Sequence, residues 1–111
     1  MTESSPPQAT PVFARFELGQ LCYTPGAQAA LERFKVNPFR LIGRHLSGDW
    51  GDVCAEDAKA NEDALIHGHR LLSAYRLTAP DNEGEQPDPV TCWLITEADR
   101  SVTTILLPEE Y

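Results

Sequence analysis

HLSGDWGDVCAEDAKANED, running from His45 to Asp63, joins a front half patterned for helices to a back half patterned for strands. Two glycines in its first seven residues permit backbone conformations closed to other residues, so they can set Asp49, Trp50 and Asp52 on a tight bend. From Ala55 the pattern turns helical: Glu56 and Asp57 fall in a first turn, where they favour the positive end of the helix dipole. Ala58, Asn61, Ala64 and Leu65 share a face, and Gly68 closes the helix after His67. Asn61 is therefore a polar group on the side expected to pack inward.

Upstream of the bend, FARFELGQLCY (Phe13 to Tyr23) reads as a strand. Its period of two sets Phe16, Leu18 and Cys22 against Arg15, Glu17 and Tyr23, with Gly19 marking a bulge or a close backbone approach. Thr24-Pro25 and Asn37-Pro38 each pair an N-cap side chain with proline at the first helical position. Ala27, Ala30, Leu31 and Phe34 form the apolar stripe of the first helix. Phe39, Ile42 and Leu46 form that of the second, which ends at Ser47-Gly48. Downstream, RLLSAYRL (Arg70 to Leu77), TCWLITEA and SVTTILLP are rich in the residues a pleated surface prefers, with a tight turn at Ala98-Asp99-Arg100. The order is β-α-α-α-β-β-β. It predicts an α+β domain over 12–111, an antiparallel sheet of about four strands with three short helices on one face. Residues 1–11 are expected to be a disordered tail and the acidic, proline-rich connection at 79–89 to be mobile.

The chain has 111 residues, a net charge of −8 and 41% apolar residues, and its mean hydropathy is −0.35. One modest core fits that length, and no apolar run reaches the ~18 residues of a membrane span. The acidic balance disfavours direct nucleic-acid binding, which rests on Lys and Arg neutralising phosphates. MTESSPPQATP has neither the basic nor the apolar segment of a secretory signal, so a cytoplasmic location is expected. Cys22, Cys54 and Cys92 are odd in number and widely spaced, which suits three simple thiols better than disulfides or zinc. P-loop, GxGxxG, HExxH, GxSxG and CxxC patterns are absent. No cofactor or metal is expected, and oligomeric state is not legible.

Three stretches could carry chemistry. In SGDWGD, Asp49 and Asp52 could hold a cation or an arginine and Trp50 could anchor a partner. The simpler reading has the aspartates closing the turn, Asp52 or Cys54 capping the next helix, and Trp50 plugging the core. His67 and His69 straddle a helix end, and His45 shares a helix face with Leu41; it would act as a base only beside a substrate proton. Glu97, Asp99 and Arg100 flank the last turn. There Asp99 is expected to bond nearby N–H groups and Arg100 to pair with an acid, while Arg100 and Arg76 could alternatively form an anion-binding fork.

HLSGDWGDV, the spacing of Glu56, Asp57 and Asn61, LLSAYRL, and WLITEADRSVTTILLPEEY together resemble a family of small bacterial proteins carried on plasmids and integrated mobile elements. Some of its members bear the label plasmid-related protein or type I restriction endonuclease subunit M. The resemblance covers about Leu18 to Tyr111. Cys54 departs from it where a capping hydroxyl is usual, and so does the long 79–89 connection. A methyltransferase, which the subunit M label implies, is incompatible with this length and with the absent motifs.

Two expectations follow. The first is a non-catalytic acidic interaction protein of a mobile element, whose acids Asp49, Asp52, Glu56, Asp57, Glu62 and Asp63 meet a basic surface on a host or defence protein, in a sharper form by imitating nucleic acid. Its hub would be Asp49, Trp50, Asp52, Asn61, Arg76, Glu97, Asp99 and Arg100. The alternative is a small toxin-type nucleic-acid-processing enzyme in which His45, Asp49, Asp52, Arg76 and Arg100 converge.

Overall fold

The computed structural model describes residues 14–78 and 88–111. The expected tail at 1–11 and nearly all of the 79–89 connection lie outside them. The order is β1 (Gln20–Tyr23), α1 (Pro25–Phe34), α2 (Pro38–Ser47), α3 (Ala55–His67), β2 (Leu71–Leu77), β3 (Val90–Thr96), β4 (Val102–Leu106) and a 3-10 turn at Pro108–Glu110. This is the expected α+β domain.

The caps do what their residue types imply. The Thr24 hydroxyl accepts from the Ala27 N–H, and Asn37 Oδ1 accepts from the Phe39 N–H. Lys35 ends α1 in the left-handed region, and Gly48 and Gly68 end α2 and α3 there. Cys54 occupies the N-cap of α3 but makes no side-chain cap bond, and neither does Asp52, so the expected cap at this helix is missing. Its acids at Glu56 and Asp57 compensate through the dipole.

The sheet order is β1-β4-β3-β2. The meander β2-β3-β4 is antiparallel as expected, but β1 runs parallel to β4, so the sheet is mixed. Three helices separate β1 from the meander, and a connection of that length leaves strand direction unconstrained by any hairpin. The first strand is also shorter than expected, starting at Gln20 rather than Phe13. Gly19 sits at φ 67°, and a Cβ there would collide with the Ser101 backbone. This close approach interrupts the period of two. Leu21 and Tyr23, aligned with Thr103 and Ile105, face the helices, whereas Cys22 faces away.

Registers place Leu71, Ser73, Tyr75 and Leu77 on the same face as Cys92, Leu94, Thr96, Thr103 and Ile105. All three helices pack there. Ala27, Leu31, Phe34, Leu41 and Ile42 meet Tyr75, Leu77, Leu94 and Ile105 in the larger cluster. Trp50, Ala64 and Leu71 form a smaller one, with Phe16, Val53, Ala58 and Leu65 packed against it. No helix among the described residues is long and apolar enough to cross a membrane.

Candidate functional site

The bend lies along the outer edge of β2. Gly48 turns the chain out of α2, and the Asp49 carboxylate closes the next turn by accepting from the Gly51 N–H at 3.2 Å. Gly51, at φ 77°, brings the backbone against β2, where it forms a parallel bridge with Ala74. A Cβ on Gly51 would strike the Ala74 carbonyl and lie 2.6 Å from the Tyr75 ring.

The contact is a cap on an edge strand, whose outward backbone groups would otherwise be a template for pairing with another chain. Asn61 spans the first position: its Nδ2 donates to the Leu72 carbonyl at 2.7 Å and its Oδ1 accepts from the Leu72 N–H at 3.1 Å. At the second, the Ala74 N–H donates to the Trp50 carbonyl at 3.0 Å, and the Asp52 N–H donates to the Ala74 carbonyl at 2.6 Å. At the third, the Arg76 N–H donates to the Asp52 carboxylate at 3.1 Å. Asn61 is 4% exposed, and its inward position is explained by the part-buried Leu72 backbone groups that it satisfies.

The rest of the bend is pinned from the side. Trp50 is 5% exposed, and its indole N–H donates to Glu62 at 3.0 Å. Glu62 is gripped by Arg15 in a bidentate pair at 2.7 and 3.1 Å. Those two bonds, the arginine's first, hold its carboxyl below the usual range. Arg44 makes the matching pair with Asp49, at 2.7 Å, and lowers that carboxyl too. The Arg44 guanidinium also lies 4.5 Å from the centroid of the Tyr75 ring, whose hydroxyl donates to the Asp49 carbonyl. Trp50 thus plugs the core, as the structural reading expects.

His45 lies beneath this cap, fully buried, edge-on to Phe16 and Trp50. Its Nδ1 is 2.5 Å from the Ser73 hydroxyl and its Nε2 2.9 Å from the Thr96 hydroxyl. Thr96 bonds Thr103, and Thr103 donates to the Leu18 carbonyl. A carbonyl only accepts, so the polarity of the chain runs backward from it: Thr96 donates to Thr103, Nε2–H to Thr96, and Ser73 to a bare Nδ1. Desolvation first, then the charge of Arg100, push the His45 pKa down to about 4. The ring is neutral and structural at pH 7.

Arg100 was expected to pair with an acid. Instead, at φ 60°, it donates to the carbonyls of His69, Glu97, Ala98 and Ala64, closing the end of α3. Asp99 accepts from the Ser101 N–H as expected, and hydrogen bonds from Ser101 lower its carboxyl. Glu97 contributes its backbone to the same turn, accepting from the Arg100 N–H. Arg76 projects, exposed, from the opposite face of the sheet to Tyr75. Asp49, Trp50, Asp52 and Asn61 are therefore brought together; Glu97, Asp99 and Arg100 form a second group at the last turn. His45 is sealed from solvent, so His45, Asp49, Asp52, Arg76 and Arg100 share no open cleft. No cluster of potential metal ligands occurs among the described residues.

Arg15, Ser73, Tyr75 and Thr96 escaped the sequence reading. Their partners are 26 to 51 residues distant, and no local spacing signals such a bond. The Thr96–Thr103 pair was nearer to hand, because two threonines flanking a short hairpin turn are cross-strand neighbours. Comparison with protein-family models, with curated proteins and with solved structures finds no match.

Proposed function

We propose that the chain is a non-catalytic acidic interaction protein of a mobile genetic element, acting in the cytoplasm on a host or defence protein through a basic surface of that partner. The observation that carries the reading is the contrast between its polar groups. Those suited to chemistry, His45 and Arg100 above all, are bonded within the fold. Glu56 and Asp57 instead stand exposed on the first turn of α3, with no ion pair among the described residues, beside exposed Asp52 and Asp63. Asp49 and Glu62 are neutralised by Arg44 and Arg15, and Asp63 lies 3.6 Å from Lys59, so the face offered to a partner is narrower than the six acids of the sequence suggest. The edge cap holds that face rigid, which lowers the ordering cost of binding. The resemblance of SGDWGD and ITEADRSVTTILLPEEY to plasmid-borne proteins supports the setting.

The test is affinity capture from a bacterial host on the immobilised chain, with Glu56→Lys/Asp57→Lys as the control. A basic protein retained at low salt, released by high salt and lost with the double variant supports the reading. Release by a short DNA duplex supports imitation of nucleic acid. Retention indifferent to salt and to the charge reversal contradicts both.

A further inference from the structure

The two edges of the sheet are treated oppositely. β2 is capped along its length, whereas no described residue caps β1. Gln20 and Thr24 donate their N–H groups to the carbonyls of Ser101 and Ile105 on the β4 side. Backbone direction alternates along a strand, so the N–H and C=O groups of Leu21 and Tyr23 point outward, and no described residue bonds them. The strand QLCY is protected only by its length of 4 residues, for it carries no lysine, proline or bulge to blunt the edge. Beside it lies a groove of about 600 Å³ lined by Tyr23, Leu31, Glu32, Lys35, Val36 and Pro38. Tyr23 is 38% exposed there.

We propose that β1 pairs antiparallel with β1 of a second copy, about a two-fold axis at Cys22, making one continuous sheet from two. Only that axis uses both outward residues: Leu21 meets Tyr23 of the other copy and exchanges both N–H···O bonds with it, and the reverse. The groove supplies the argument for a second copy. It holds one acid, Glu32, and one base, Lys35, and a two-fold axis turns each groove toward its mate so that the charges pair reciprocally. A strand carrying charge of one sign would meet a like charge at either Lys35 or Glu32. At the axis Cys22 faces Cys22 in a non-hydrogen-bonded pair, with Cα atoms about 4.5 Å apart, within the reach of a disulfide. Cys22 is half-buried and lies on the helix-free face.

Sedimentation equilibrium from micromolar to submillimolar protein, at physiological ionic strength where the Debye length is about 8 Å, tests this directly. A concentration-dependent dimer is expected. Tyr23→Pro removes one outward N–H and no inward bond, and is expected to be monomeric. Glu32→Lys, on the exposed face of α1, is expected to weaken the dimer roughly tenfold, and adding Lys35→Glu to restore it. In a Cys54→Ser background, diamide is expected to give a covalent dimer through Cys22. A wild-type chain monomeric throughout overturns the proposal. So does a dimer indifferent to Glu32→Lys, which stays decisive if Tyr23→Pro fails to fold, or one that diamide leaves uncrosslinked.

Discussion

At position 51 any side chain must adopt a left-handed backbone and also displace the Ala74 carbonyl and the Tyr75 ring. The first effect costs about 1–2 kcal/mol and overpacking typically about 1–3 kcal/mol, so Gly51→Ala is expected to destabilise the fold by about 2–4 kcal/mol. A lowered urea midpoint with an unchanged slope would show it; a midpoint within error of the parent would mean that the bend does not touch β2. His45 makes a second prediction, on pH. Its folded pKa of about 4 lies below its ordinary 6.5, so above pH 6.5 both states are neutral and nothing is lost. Between 6.5 and about 4 the unfolded chain takes up the proton and the folded chain does not. Stability therefore falls with acidification, by about 3 kcal/mol in all. The carboxylates the fold lowers, such as Glu62, act below their ordinary 4.5, which leaves the window above it to His45. Denaturant titrations from pH 7 to 5 on the parent and on His45→Gln should differ in slope, the variant being flatter; equal slopes would mean that the imidazole is wet.

Elements were legible where a local signal exists. The Thr24-Pro25 and Asn37-Pro38 starts and the glycine stops of α2 and α3 are short-range chemistry, and they locate all three helices. β1 is shorter than its pattern suggests because the close backbone approach that Gly19 signals, to Ser101, starts the strand afresh instead of lying inside it. Its direction was not legible either, since pairing with β4 joins segments some 80 residues apart. The candidate site divides the same way. SGDWGD was recognisable as a bend from its glycines, and Asn61 as an inward polar group from its helix phase. That the two together cap β2 depends on α3 docking beside the bend, which no spacing reveals. Asn61→Ala leaves both backbone groups of Leu72 without partners and is expected to cost about 2 kcal/mol. Asn61→Asp keeps the acceptor for the Leu72 N–H but turns a carboxylate toward the Leu72 carbonyl, so it should be destabilising as well and recover as pH is lowered. If melting shows both variants as stable as the parent, water serves that edge equally well.

For the whole molecule, an acidic composition and a fixed architecture meet at one strand. Arg15 and Arg44 reach across from separate segments to neutralise Glu62 and Asp49, and in doing so hold the bend that closes the sheet. Exposed pairs of this kind contribute little stability singly. Their role is positional, keeping Trp50 and the Asp52 backbone where β2 needs them. Amide hydrogen exchange of Leu72 and Ala74 tests that arrangement most directly, because each N–H lies on the outer side of an edge strand and is protected only by Asn61 and the Trp50 carbonyl. The capped edge predicts exchange within about tenfold of interior amides such as Leu94, through opening of the whole domain. Exchange at the rate of an open strand, with Leu94 still protected, would contradict it.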